Sequence, residues 1–136
     1  MTIKTISGGG RFEKAGSYSR VKRVGPFVYV AGLTSMQSNG QVYAPYDIYE
    51  QSVFIFDKIE SYLEEAGAKM RHVVCTRAYL TDMRDAGGFI RRHGEVFAGI
   101  EPVLTGVQAG LTTPGMMVEV EIEAIIHSAK GKISLD

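Results

Sequence analysis

The chain holds a single cysteine, Cys75, so no disulfide can close within it and no cysteine knuckle can hold a metal. It also lacks an excess of charge of either sign: 15 Lys and Arg stand against 15 Asp and Glu, a formal net charge of zero. The longest basic cluster is Arg20–Val21–Lys22–Arg23. A nucleic-acid binder carries a basic face to neutralise phosphates, so neither DNA nor RNA is expected as the main partner. No apolar run approaches the ~20 residues that span a bilayer, so no membrane partner is expected either. The stretch Met1–Thr2–Ile3–Lys4 has none of the apolar run of a signal peptide. With the lone cysteine, which fits a reducing compartment, this leads us to expect a cytoplasmic protein. No phosphate loop or dinucleotide fingerprint is read, because Gly8–Gly9–Gly10 is expected to lack the preceding strand and following helix that such motifs need. No cofactor is expected.

What remains is an ordinary globular composition, 45% hydrophobic and 22% charged over 136 residues. Without repeats, low-complexity tracts or linkers, residues 1–136 read as one domain. Ser7 to Gly16 reads as a loop or irregular ribbon. Two β-favouring runs, Ser19 to Val24 and Phe27 to Ala31, flank Gly25–Pro26 and predict a hairpin. A helix is predicted from Asp47 to Ala66, with Asp47 and Glu50 resembling a capping box and Gly67 as the stop. Its stripe, Ser52, Ile55, Phe56, Ile59 and Leu63, is to pack on a sheet. His72 to Thr81 predicts a strand and Ala86 to Gly99 a second helix, with the stripe Phe89, His93, Val96, Phe97 and Ile100. The last third reads as a strand pair, Val103 to Ala109 and Met117 to Ser128, joined through Pro114–Gly115. The predicted class is α/β (α+β): a mixed sheet with two helices on one face, and the other face left for sister subunits.

Several local patterns, in this order, resemble the RidA/YjgF family, also called the L-PSP endoribonuclease family. They are Tyr18–Ser19–Arg20, the strand Phe27 to Gly32, Glu65–Ala66–Gly67–Ala68, Val73–Val74, Thr76–Arg77, Tyr79 to Asp82, Phe97 with Pro102, and Leu111 with Val118–Glu119–Val120–Glu121. The resemblance implies a chorismate-mutase-like homotrimer with small-molecule clefts between subunits. It further implies hydrolysis of reactive imines or enamines to a ketone or keto acid and ammonia, with no cofactor and no metal. That chemistry needs an arginine that grips a substrate carboxylate with both arms, a carboxylate that handles water, and backbone groups that orient the imine. The family's arginine position, two residues past a proline, is here Leu104, and no arginine follows Arg92. The pattern thus looks like the arginine-lacking Rid subgroups, for which 2-imino acids are not the expected substrates. Counting eight from Leu111 reaches Glu119 as the catalytic carboxylate, with Glu121 as a competing register. Tyr18 matches the tyrosine that closes the cleft from a neighbouring chain, and Gly32 the pocket glycine. Leu33, Thr34, His93, Leu104 and Gly106 complete the substrate-binding candidates.

Plainer readings stand beside these. Glu119, Glu121 and Glu123 alternate on one strand and so share a face. Pairing with Arg20, Lys22 or Arg77 is their ordinary use. Together with His127 they could also approach a divalent ion. His93 on an apolar helix stripe is more often a packed core residue than a cleft acid or base, and Cys75 a small buried apolar one. The chain could instead be a non-catalytic trimer that binds a small metabolite. The ribonuclease activity known among relatives is disfavoured by the neutral charge and the lack of interleaved basic and aromatic residues.

Overall fold

A computed structural model describes residues 2–134. Asp47 starts the long helix α2 (Ile48–Glu65): its side chain accepts a hydrogen bond from Glu50 N at 3.1 Å, leaving that end satisfied. Gly67 ends it, at φ +89°. Ala68 N then reaches Leu63 O and Gly67 N reaches Glu64 O, the paired bonds of a Schellman cap. The hairpin strands β2 (Val21–Val24) and β3 (Phe27–Leu33) turn through Gly25–Pro26, with Gly25 at φ +57°. A two-residue hairpin loop prefers that left-handed conformation at its first central position.

The remaining strands are β1 (Ile3–Ile6), β4 (Val73–Leu80), β5 (Val103–Gln108) and β6 (Val118–Ile125). They form one sheet in the order β1-β2-β3-β6-β4-β5. β4 and β5 are parallel, joined over the sheet by α3 (Ala86–Phe97), and the other neighbours are antiparallel. β6 alternates: Val118, Val120, Ile122 and Ala124 are buried, while Glu119, Glu121 and Glu123 lie on the opposite face. The buried side packs against Ile55, Phe56, Ile59 and Leu63 of α2 and Phe89 and Phe97 of α3. Both helices cover this one face, as expected.

Three expectations need correction. The last two strands are not neighbours: β4 separates them, because β6 enters the sheet between β3 and β4. Ser7 to Gly16 is not wholly irregular, since α1 (Arg11–Gly16) forms within it. Gly8–Gly9–Gly10 does lie between a strand, β1, and a helix, α1, yet the amides of Gly8 and Gly10 are taken by the Glu13 carboxylate at 2.9 and 3.2 Å. Among the described residues no helix is long and apolar enough to cross a membrane.

Candidate functional site

The site is built where the β3–β6 ladder slips. Val30 pairs with Ile122 and Leu33 with Val120, so Ala31 and Gly32 together oppose the single residue Glu121. Such a bulge re-aims the chain locally. Here it turns Gly32 toward Glu119: a Cβ on Gly32 would lie 2.9 Å from the Glu119 carboxyl carbon and Oε1. Only glycine lets the backbone and the carboxylate approach this closely.

The three acidic residues of β6 then divide by their neighbours. Glu123 pairs with Arg77 at 3.0 Å, and Glu121 accepts a short hydrogen bond from the Tyr79 hydroxyl. That bond, with burial, raises the Tyr79 pKa. No hydrogen bond or ion pair from the described residues reaches the Glu119 carboxylate, and the residue is half-buried. Burial pushes its carboxyl above the usual range and the Glu121 charge adds to the rise, while Arg20 opposes it. The ordinary ion-pair reading therefore holds for Glu123, and Glu119 is the carboxylate left unengaged.

Arg20 is the cation beside it. Its guanidinium donates to Gly32 O at 2.5 Å and lies 3.9 Å from Glu13 on the other side. Glu13 is buried and held by the Ser7 hydroxyl and the Gly8 and Gly10 amides. Burial alone would raise its pKa; the amides, Ser7 and Arg20 together bring it below the usual carboxylate value. Sequence reasoning missed Glu13, although an acidic residue three positions after a glycine run, whose amides need an acceptor, was an available signal. It also missed Gln51, fully buried on α2. Gln51 Nε2 donates to Ala44 O and Gly115 O at 3.0 and 2.7 Å, and its Oε1 accepts from Met117 N at 2.9 Å. One side chain thus pins the Pro114–Gly115 turn and the start of β6.

The other expected site residues fall in different places. Tyr18 is exposed and its amide bonds to Glu13 O, one turn of chain from Arg20. Leu33 turns to the helix side opposite Val120, and the Thr34 hydroxyl accepts from Met36 N at 3.2 Å. His93 is in the core: Nε2 is 2.9 Å from the buried Thr76 hydroxyl, and the ring packs among Phe56, Phe89 and Phe97. Burial lowers its pKa, which favours the neutral ring. Leu104 pairs with Thr76 and Gly106 with Ala78, both on the helix-covered side, and Leu104 packs against the core. Within one chain, then, His93, Leu104 and Gly106 do not meet Glu119. Cys75 is partly exposed rather than buried, on β4 opposite Glu123. His127 lies 2.7 Å from Ile125 O through Nδ1 and packs edge-on against His72. Among the described residues no three His, Cys, Asp or Glu side chains are grouped to hold a metal.

This chain resembles known proteins over most of its length. It is 30% identical over 106 residues to a RutC family protein of Pyrococcus abyssi, covering 78% of this chain and 84% of that one. Rv2704 of Mycobacterium tuberculosis, a member of the YjgF/YER057c/UK114 family, superimposes with a TM-score of 0.81 at 36% identity, over 92% of this chain and 100% of its own. Yeast Mmf1 shares the fold, with a TM-score of 0.77 at 19% identity over 91% of this chain and 98% of its own. The family model for endoribonuclease L-PSP matches residues 9–126, and with these relatives it means that the chain belongs to the RidA/YjgF (endoribonuclease L-PSP) family.

Proposed function

We propose that this protein hydrolyses small imine- or enamine-like metabolites in clefts between the subunits of a homotrimer, with Glu119 handling the attacking water. The observation that carries the reading is the unengaged, half-buried Glu119 carboxylate set against the bare Gly32 backbone. A carboxylate whose pKa is raised toward working pH, within reach of a small ligand, is suited to take a proton from water. Water adds to the imine carbon as Glu119 accepts its proton. That proton passes to nitrogen to give a carbinolamine; its hydroxyl proton, relayed by the same carboxylate, then moves to nitrogen as the C–N bond breaks, and a carbonyl compound and ammonia leave.

Leu104 and Arg20 bear on the substrate. At the position the family gives to a carboxylate-binding arginine, Leu104 offers no donor. Arg20, the cation nearest Glu119, is already committed to Gly32 O and Glu13. A substrate carboxylate placed here would lose water without gaining a partner, which costs several kcal/mol. We therefore place the arginine-lacking Rid subgroups nearest in chemistry, and 2-imino acids outside the substrate range. The test is ammonia release from a panel of imines. Turnover is expected for imines without a carboxylate and to be at least ~100-fold slower for 2-iminobutanoate. Efficient turnover of the acid would show that another cation has taken the role. If no imine is turned over while a metabolite still binds, the protein is a binding trimer instead.

Trimeric assembly is supported by the sheet face that no helix covers. It exposes Phe27 and Tyr29 on β3 and Val103 and Val107 on the edge strand β5, the two valines 69% and 45% exposed. A sister sheet would bury them. Sedimentation is expected to give three chains per particle at micromolar concentration. A monomer would remove the intersubunit cleft and with it the closing role of Tyr18.

A further inference from the structure

The hollow between α2 and α3, lined by Asp57, Glu60, Arg92 and Glu95, is a mesh of surface ion pairs. His72, buried, packs edge-on against the half-buried His127, whose Nδ1 lies 2.7 Å from Ile125 O, an arrangement that ties down the chain after β6. Arg20 is different, because an otherwise costly arrangement of buried charges converges on it.

Its side chain is only 17% exposed, and its backbone is fixed on both sides: Arg20 N donates to Ile6 O and Ala31 N to Arg20 O, both at 2.9 Å. Its guanidinium therefore has little freedom. One arm reaches Gly32 O, the carbonyl of the bulge residue that abuts Glu119, and the other points to Glu13. Glu13 is itself immobilised by a hydroxyl and two amides. A buried anion this well satisfied is a rigid counter-charge, 3.9 Å behind the guanidinium.

We infer that Arg20, with Glu13 as its buried counter-charge, is the positioning residue of this site: its guanidinium fixes the Gly32 carbonyl and sets a positive charge beside Glu119. This rests on Glu119 being the group that handles water. The groups that act on Glu119 are Arg20 from the lead-in to β2, Glu121 on its own strand and Tyr79 across on β4; β3 presents it only the Gly32 backbone. Glu121 is engaged by Tyr79, so Arg20 is the group that can offset the burial of Glu119. A base must be ionised to act, and an opposite charge nearby favours that form. Leu104 leaves the site without the family's arginine, and Arg20 supplies charge to the catalytic carboxylate rather than to the substrate.

Two variants separate charge from geometry. Arg20→Gln removes the charge, Arg20→Lys keeps it but loses the fork. Carboxyl 13C NMR, with the Glu119 signal assigned by its loss in Glu119→Gln, reads the ionisation of Glu119 without any substrate. In Arg20→Gln its titration midpoint is expected to move up by about one pH unit or more, and the acid limb of the rate profile to move with it. In Arg20→Lys the midpoint is expected to stay near wild type while kcat falls ~10-fold or more and KM changes little. An unmoved midpoint in Arg20→Gln, with only a lower melting temperature, overturns the inference. So does a wild-type kcat in Arg20→Lys, which also decides the matter if the Gln variant does not fold. A moved midpoint in a protein inert to every imine retains Arg20 as the partner of Glu119 and removes the imine reading alone.

Discussion

Glu119→Gln is expected to lower turnover by about 10²- to 10⁴-fold, the usual worth of a general base, without loss of stability. The amide keeps the shape of the side chain against Gly32 but cannot take a proton. Its effect on folding follows from the sign of the pKa change. Burial raises the folded-state pKa of Glu119 above the ordinary 4.5. The group's stabilising contribution is thus present below that ordinary value and is lost as pH rises through the raised one. At neutral pH the ionised carboxylate is a cost to the fold, and glutamine removes it. The melting temperature should therefore hold or rise slightly. Glu123→Gln is the control: it gives up a solvent-screened pair with Arg77, so stability should change little and activity should be spared. Rates and thermal melts of both variants on one imine check this. If Glu121→Gln abolishes turnover and Glu119→Gln does not, the catalytic carboxylate lies one pleat further along β6, ~6–7 Å away.

Gln51→Leu is expected to destabilise the protein by about 2–4 kcal/mol and to depress activity in the fraction that remains folded. Leucine matches the volume but leaves Met117 N without the acceptor it has now, at a cost of ~1–3 kcal/mol for a buried donor, and withdraws both donors from Ala44 O and Gly115 O. Those carbonyls keep bonds from Asp47 N and Tyr46 N, so the loss there is smaller. The change acts two residues upstream of Glu119, because Met117 starts the run into β6. Urea unfolding measures the stability, and kcat on the folded protein measures the displacement. A variant as stable as wild type would mean that water replaces the amide.

The features legible in the sequence are those set by neighbours in the chain. Asp47 with Glu50 and Gly67 mark α2 because capping is local, and Gly25–Pro26 marks its hairpin for the same reason. The alternation from Val118 to Ala124 shows which residues of β6 share a face. It does not show which strands lie beside it. The reading of the last third as a strand pair failed because β4, α3 and β5 form a parallel crossover and β6 goes to the far side of β4. For the same reason Leu104 and Gly106, expected with Glu119 among the site residues, lie across β4 from it and on the other face. α1 is too short for periodicity to reveal, so Glu13 stayed hidden with it. The choice between Glu119 and Glu121 needed the bulge at Ala31–Gly32, which depends on the pairing of two distant strands.

The place of β6 has a consequence for how the molecule comes into being. It is the sixth strand made yet sits in the interior of the finished order, third from the β5 edge and flanked by β3 and β4. As the chain leaves the ribosome, the β1–β2–β3 ladder and the β4–α3–β5 unit can each assemble, but nothing yet joins them. Each exposes an unpaired strand, a ready template for mispairing, until residues 118–125 arrive to stitch the halves together. A synthesis pause before Val118, or a truncation there, should release an aggregation-prone half-built sheet, and pulse proteolysis of stalled chains would find it.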